Sequence, residues 1–279
     1  MAKKHTPVFL SAVMDALQVK PGEKYIDCTA GEGGHLTSIA ERGGIVLGID
    51  YDAGQIKALI EKIQMPNVTL VNGNFKNVDK IAKQNGFLQV HGILIDLGLS
   101  MRQYTSKEIG LSYANLGEKL DMRLEENAEP TAADILNKYD QDELREMLMK
   151  NSEEVFSSEI AYTIVRSRET QPINTVGELI RILKKIEGSS NPMISRVFQA
   201  LRMEVNHEID NVREALDKSI PLLLPGGRLI IITFHSIEDR IVKEFGRKRT
   251  DLKVIKVKVT HQDRQRFERS AQLRIFELI

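Results

Sequence analysis

Cysteine is almost missing from this chain of 279 residues: Cys28 stands alone, which excludes an intramolecular disulfide and any metal site built from clustered thiolates. Net charge is missing too, with 39 basic against 39 acidic residues, so a polyanion has to be met by a local patch. No apolar run approaches the ~18 residues that a membrane span requires, and no apolar signal segment follows Met1 to His5. These absences predict a cytoplasmic protein with no membrane partner. Internal repeats and low-complexity segments are absent as well. His5, His91, His207, His235 and His261 show no ligand spacing such as H-E-x-x-H, so no metal is expected.

What is present is material for a folded core. A hydrophobic content of 42% at this length suits one enlarged α/β domain or a core with a second lobe. Cys28 lies in an apolar strand and reads as an inert packed thiol.

The chain is organised around Tyr25 to His35, followed by Ile45 to Asp50. Lys24 to Cys28 reads as a buried strand, Gly31, Gly33 and Gly34 as a tight turn, and His35 to Arg42 as a helix closed by Gly43 and Gly44. Glycines allow a backbone to approach a ligand, and a helix start offers unpaired N–H groups. Asp50, at the tip of the next strand, is placed to accept hydrogen bonds from ribose hydroxyls. A dinucleotide would also fit this pattern. Asp27, inside the strand end and placed to hold an amino group, and a glycine spacing that departs from G-x-G-x-x-G favour S-adenosylmethionine.

Thr6 and Pro7 predict a helix start, with Pro7 in the first turn and an apolar stripe from Val8 to Leu17. Strands near 24–28, 45–49, 68–71 and 91–96 alternate with helices at 35–42, 53–63 and 77–84, which indicates a parallel sheet covered on both faces. From Asp96 to the next clear strand, 228–234, is far more than the ~30 residues of a strand–helix–strand unit. The intervening pattern is helical, at 131–138, 141–150, 153–168, 175–186 and 193–218. The expected organisation is therefore a core of 1–125 and 206–279 with a helical substrate-recognition lobe, 126–205, inserted above the carboxyl ends of the strands. A helix at 236–245 and two closing strands, 253–260 and 273–279, predict a terminal hairpin with one antiparallel strand. The fold class is α/β: a seven-stranded Rossmann-like class I methyltransferase sheet with an all-helical insertion.

Motifs along nearly the whole chain carry a family resemblance: His5 to Leu10, Asp27 to His35, Asp96 to Ser100 with Gln103, Leu120 to Arg123, Arg196 to Arg202 with Val205 and Asn206, Gly226 to Leu229, Phe234 to Arg240, and Arg269 to Arg274. In this order they resemble the bacterial small-subunit ribosomal RNA cytosine-N4 methyltransferases, the methyltransferase H family. The resemblance implies an S-adenosylmethionine site made of Gly33, Gly34, His35, Asp50, Phe75, Asp96 and Gln103. It also implies methylation of the exocyclic amine of a small-subunit RNA cytidine, at the decoding site of the assembled subunit.

The residues agree for the most part. Phe75 either stacks on adenine or packs in the core. His35, at a helix start, is disfavoured as a base by the dipole and suits positioning. Asp96 and Ser100 are the candidate acceptors for the target amine, with Asp96 alternatively a turn cap. Asp121 and Arg123 read as a loop at the target pocket, and Arg202 and Asn206, four apart on one helix, as residues reaching the site. His235 either contacts the base or is structural. Two basic clusters, Arg240, Lys243, Arg247, Lys248 and Arg249, and Arg264, Arg266, Arg269 and Arg274, are expected to flank one end of the sheet and neutralise phosphates. The target base must be unpaired or extruded.

Family positions are altered at Met101, at Gly117, Glu118 and Lys119, and at Gln265, Arg266 and Phe267. A DNA amino-methyltransferase is disfavoured by the lack of an Asp/Asn-Pro-Pro-Tyr/Phe segment after the fourth strand. A non-catalytic assembly factor that binds cofactor and RNA stays open.

Overall fold

The computed structural model describes residues 7–98, 109–125, 129–257 and 270–279. Two compact units divide the chain: Met1–Gly98 with Asp210–Ile279, and Leu99–Ile209.

The first unit is built on a seven-stranded sheet. Its elements are α1 (Leu10–Leu17), β1 (Lys24–Asp27), α2 (Gly34–Glu41), β2 (Ile45–Asp50), α3 (Ala53–Lys62), β3 (Val68–Asn72), α4 (Val78–Gln84) and β4 (Val90–Asp96). The strand order is 3-2-1-4-5-7-6, where β5 is Leu223–Thr233, β6 is Leu252–Ile255 and β7 is Gln272–Leu278. β7 runs antiparallel to both β5 and β6, while β1 to β5 pair in parallel. This is the class I methyltransferase sheet that the closing hairpin predicted.

Alternate residues of each central strand face opposite sides, so a strand covered twice has to be apolar throughout. Ile26, Leu47, Ile93 and Ile231 join one core with Ile81, Val212, Leu216 and Val242. Tyr25, Val46, Leu94 and Ile230 join the other with Val13, Leu17, Leu36 and Leu59. Each fully buried aliphatic side chain stabilises by roughly 1.5–3 kcal/mol over its exposed state.

The second unit is helical: α5 (Ala132–Lys138), α6 (Gln141–Ser152), α7 (Ser157–Arg168), α8 (Val176–Leu183) and α9 (Asn191–Val205). Its boundary differs from the expected 126–205, because 109–125 is hydrogen-bonded to the helices. Leu120 N donates to Asn174 O at 2.9 Å, Ala133 N to Leu120 O at 2.7 Å, and Val176 N to Glu118 O at 2.9 Å.

Three helices differ from expectation. The first starts at Leu10, not in the turn containing Pro7, because Phe9 adopts a left-handed conformation. The stretch 153–168 yields a helix only from Ser157, since Glu153 closes α6 with φ 51°. The single helix expected over 193–218 is two, α9 and α10 (Glu208–Ser219): Asn206 caps the first, and His207 at φ 49° turns the chain. β5 starts five residues earlier than expected, at Leu223, with a register shift opposite Val90 and Gly92.

Candidate functional site

Parallel strands deliver their carboxyl ends to one edge of the sheet, and three of those ends are acidic. Asp27 closes β1, Asp50 closes β2 and Asp96 closes β4. Asp50 is buried, and its two oxygens accept from backbone N–H groups, Oδ2 from Gly31 at 2.8 Å and Oδ1 from Asp52 at 2.9 Å. These bonds orient the carboxylate and leave it lone pairs for further donors.

Asp27 is 1% exposed. Its Oδ1 accepts from Thr29 N at 3.2 Å, while Oδ2 has no hydrogen-bond partner among the described residues. Burial pushes this carboxyl up to about 7, and Asp96 and Asp50 add to the rise. Such a lone buried oxygen is costly unless a donor arrives.

His35, in the first turn of α2, is buried with both ring nitrogens lacking hydrogen-bond partners among the described residues. Burial holds the imidazole down at about 4, so it is neutral near pH 7. Its Nε2 lies 3.9 Å from Asp96 Oδ2. A neutral imidazole beside an acid suits positioning of a polar or cationic group.

The glycines of the turn have a visible packing reason. Gly33 sits at φ 82°, and a Cβ there would come within 2.8 Å of Leu59 Cδ2. A Cβ on Gly34 would lie 2.1 Å from Pro7 Cγ. Pro7 therefore acts as a lid on α2 rather than as a residue of the first helical turn.

Phe75 follows β3 in a short 3-10 turn, Phe75–Asn77, half-buried against one core cluster. This is the packing alternative, and the remaining exposure leaves its other role open to a planar ligand.

Asp96 is held from two sides. Its N–H donates to Thr29 Oγ1 at 2.8 Å, and its Oδ1 accepts from Gly98 N at 3.1 Å, which caps the turn after β4. Thr29 lies within the Asp27 to His35 motif, but no sequence signal assigned it this tie between the β1 and β4 ends. Gly98 is required by Phe234: an added Cβ would lie 2.6 Å from the ring. The turn after β4 is thus seated on the residue after β5. Ser100, Gln103 and Arg269 lie outside the described residues.

His235 serves as the N-cap of α11 (Ser236–Lys248). Its Nδ1 accepts from Glu238 N at 3.4 Å, and Nε2 is 2.9 Å from Glu238 Oε1. Glu238 in turn accepts from Phe234 N at 2.8 Å. The structural alternative for His235 is the geometry present.

In the second unit, Arg123 meets Asp121 bidentately at 2.7 and 2.8 Å, and this bond lowers the Asp121 carboxyl. Arg202 clasps Glu208 at 2.7 and 2.9 Å. Asn206 donates to Met122 O at 2.9 Å and accepts from Leu124 N at 2.9 Å. The family loop and the helix end are therefore joined to each other. Glu118, one of the altered positions, ties the preceding loop by accepting from Gly110 N at 2.9 Å and from Asn115 Nδ2 at 2.6 Å.

Among the described residues, the basic side chains do not gather at one end of the sheet as expected. Asp239 takes both Arg274, at 2.7 Å, and Lys243, at 2.8 Å, and Arg249 is paired with Asp251. α11 starts past the carboxyl end of β5 and runs back beside it, so Arg247, Lys248 and Arg249 sit just before β6, at the opposite end from Arg240. Arg240 is exposed on the first turns. Arg264, Arg266 and Arg269 lie outside the described residues.

A family model described as the MraW methylase family matches residues 2–277. Relatives named ribosomal RNA small subunit methyltransferase H include that of Symbiobacterium thermophilum, 39% identical over 254 residues, which is 88% of this chain and 80% of that protein. The Dehalococcoides mccartyi protein is 42% identical over 252 residues, covering 88% and 71%. That of Lachnospira eligens is 40% identical over 253 residues, covering 87% and 80%. Among the described residues no helix is long and apolar enough to cross a membrane.

Proposed function

The chain belongs to the MraW methylase family, and on that premise we propose that it transfers a methyl group from S-adenosylmethionine to the exocyclic N4 amine of a cytidine in small-subunit ribosomal RNA, at the decoding site of the assembled subunit. The observation that carries this reading is the strand edge with three acids, where Asp27 Oδ2 is buried without a hydrogen-bond partner among the described residues and a neutral His35 lies beside Asp96. An anionic edge with an unused buried acceptor suits a donor that carries positive charge.

When bound, S-adenosylmethionine supplies an electrophilic methyl carbon. Asp50 offers lone pairs to the ribose hydroxyls, Phe75 a face for the adenine, and Asp27 an acceptor for the amino group. Gly33, Gly34 and His35 shape the turn against which the rest lies, and Gln103 completes the set by family resemblance.

A cytosine N4 amine is a poor nucleophile because its lone pair is shared with the ring. Asp96, already oriented by Gly98 N and placed at the end of β4, accepts a hydrogen bond from that amine through Oδ2 and returns electron density to nitrogen. As the N–C bond forms the methyl–sulfur bond of the donor would break, its electron pair staying on sulfur, and the amine proton passes to Asp96; Asp96 or Ser100 supplies the hydrogen-bond acceptor that holds the amine. Asp121, Arg123, Arg202, Asn206, His235, Arg240 and Arg269 are the proposed substrate side of the site. The helical unit is the proposed recognition lobe, and an extruded base is its proposed ligand.

Incubation with labelled methyl donor tests the reading, comparing assembled small subunits, naked ribosomal RNA and duplex DNA. Label in small-subunit RNA at a cytosine N4, largely lost in Asp96→Asn with the fold intact, is the expected result. Label only in DNA, or in none of the three, overturns it.

A further inference from the structure

Two of the three acids at the strand edge are joined through a single residue. The parallel ladder of β1 and β4 ends where Asp27 pairs with Leu94, and just past it Cys28 N donates to Leu94 O at 2.9 Å. Beyond that point half-buried Thr29 spans the gap. Its N–H donates to Asp27 Oδ1 at 3.2 Å, and its Oγ1 accepts from Asp96 N at 2.8 Å. One residue therefore touches both the acid assigned to the donor's amino group and the acid assigned to the target amine. Branching at Cβ leaves threonine few choices at χ1, so the hydroxyl keeps a set angle to the Asp27 contact. Asp96 is fixed at its backbone by Thr29 and at Oδ1 by Gly98 N at 3.1 Å, and the direction of Oδ2 follows from both.

We propose that Thr29 is a positioning residue for methyl transfer: its hydroxyl sets the Asp96 backbone, and with it the oxygen offered to the target amine, relative to the amino-group site at Asp27. The inference rests on the methyl transfer proposed above. Thr29 acts through Asp96 and touches no reacting atom. Transfer requires nitrogen, methyl carbon and sulfur in line, and a misplacement of about 1 Å can cost ~100-fold in rate. The hydroxyl is the part that matters. Valine has nearly the same shape but no acceptor, and would leave the Asp96 N–H facing a methyl group. A threonine that only filled space between the strands would be replaced by valine with no effect on turnover.

The test compares the full wild-type chain with Thr29→Val, Thr29→Ala and Thr29→Ser. Three quantities are read: hydrogen–deuterium exchange at the Asp96 amide, S-adenosylmethionine affinity by calorimetry, and steady-state transfer of labelled methyl to small-subunit RNA, naked or assembled. Thr29→Val is expected to lower kcat by ~100-fold. KM for RNA and donor affinity are expected to stay within about twofold of wild type. Exchange of the Asp96 N–H is expected to quicken by about tenfold or more. Thr29→Ser keeps the acceptor and is expected to hold all of these near wild type. Thr29→Ala removes the acceptor while admitting water to the Asp96 N–H, so it shows the same split should the valine variant fail to fold. Wild-type kcat in a folded variant without the hydroxyl overturns the proposal and leaves the methyl-transfer reading standing. So does a loss of donor affinity as large as the loss of kcat, or an equal loss in Thr29→Ser; either marks Thr29 as a residue of the fold alone. A wild-type chain that binds donor and labels no small-subunit RNA overturns both.

Discussion

His35 Nε2 stands 3.9 Å from Asp96 Oδ2, yet the two do not form an ion pair at neutral pH, because burial holds the imidazole uncharged down to about 4. The folded-state value lies below the ordinary 6.5, so this histidine's stability contribution is present above 6.5 and is lost as pH falls toward 4. The full difference corresponds to about 3 kcal/mol. In acid denaturation, wild-type stability is expected to fall by that much more than His35→Gln between pH 6.5 and 4. Parallel curves for the two proteins would show that His35 does not titrate in this way.

Asp27 runs in the opposite sense. Its carboxyl is raised to about 7 chiefly by burial, so the folded state has to ionise a buried acid as pH rises. Stability is fully present below the ordinary 3.8 and is lost as pH climbs through 7, by roughly 4 kcal/mol. Asp27→Asn is expected to raise the melting temperature at pH 8 and leave it little changed at pH 4.

The same carboxyl ties donor binding to pH. A cationic group beside Asp27 favours the ionised form, so wild-type donor affinity is expected to rise relative to Asp27→Asn from pH 6 to pH 8. Taking the ratio cancels titration of the donor itself. A constant ratio in calorimetry would place the amino group away from Asp27.

Gly98 and Phe234 share one space, with a Cβ at position 98 only 2.6 Å from the ring. Gly98→Ala is expected to move the turn that carries Asp96, with an overpacking cost of about 1–3 kcal/mol and a larger fall in methyl transfer than in donor affinity. Adding Phe234→Leu opens the space and is expected to restore most of the turnover. Absence of rescue would mean that the turn does not rest on Phe234.

Asn206 joins the end of α9 to Met122 and Leu124 by two hydrogen bonds. Asn206→Ala leaves a backbone donor and a backbone acceptor unpaired, at ~1–3 kcal/mol for a buried group. Urea denaturation is expected to show that loss, and Asn206→Asp to recover the Leu124 bond alone. An Asn206→Ala protein as stable as wild type would mean that these two bonds do not hold the loop in place.

The alternation of apolar strands and helices determined the sheet, its parallel run and its antiparallel finish, because a strand covered on both faces must be apolar at every position. The acids at 27, 50 and 96 were legible for the same reason: a charge that ends an apolar run marks where a strand leaves the core. What the pattern did not contain is the set of partners that side chains find across long stretches of chain. Pairing of Arg274 and Lys243 with one Asp239, the seat of Gly98 on Phe234, and Pro7 over Gly34 are contacts that the fold brings together. The break at His207 was hidden too, since a helical stripe continues through it and the turn is made by the left-handed backbone of His207. Local periodicity depends on neighbours along the chain, whereas the charge left over for a ligand depends on which groups the fold has already neutralised, and only the tertiary structure decides that.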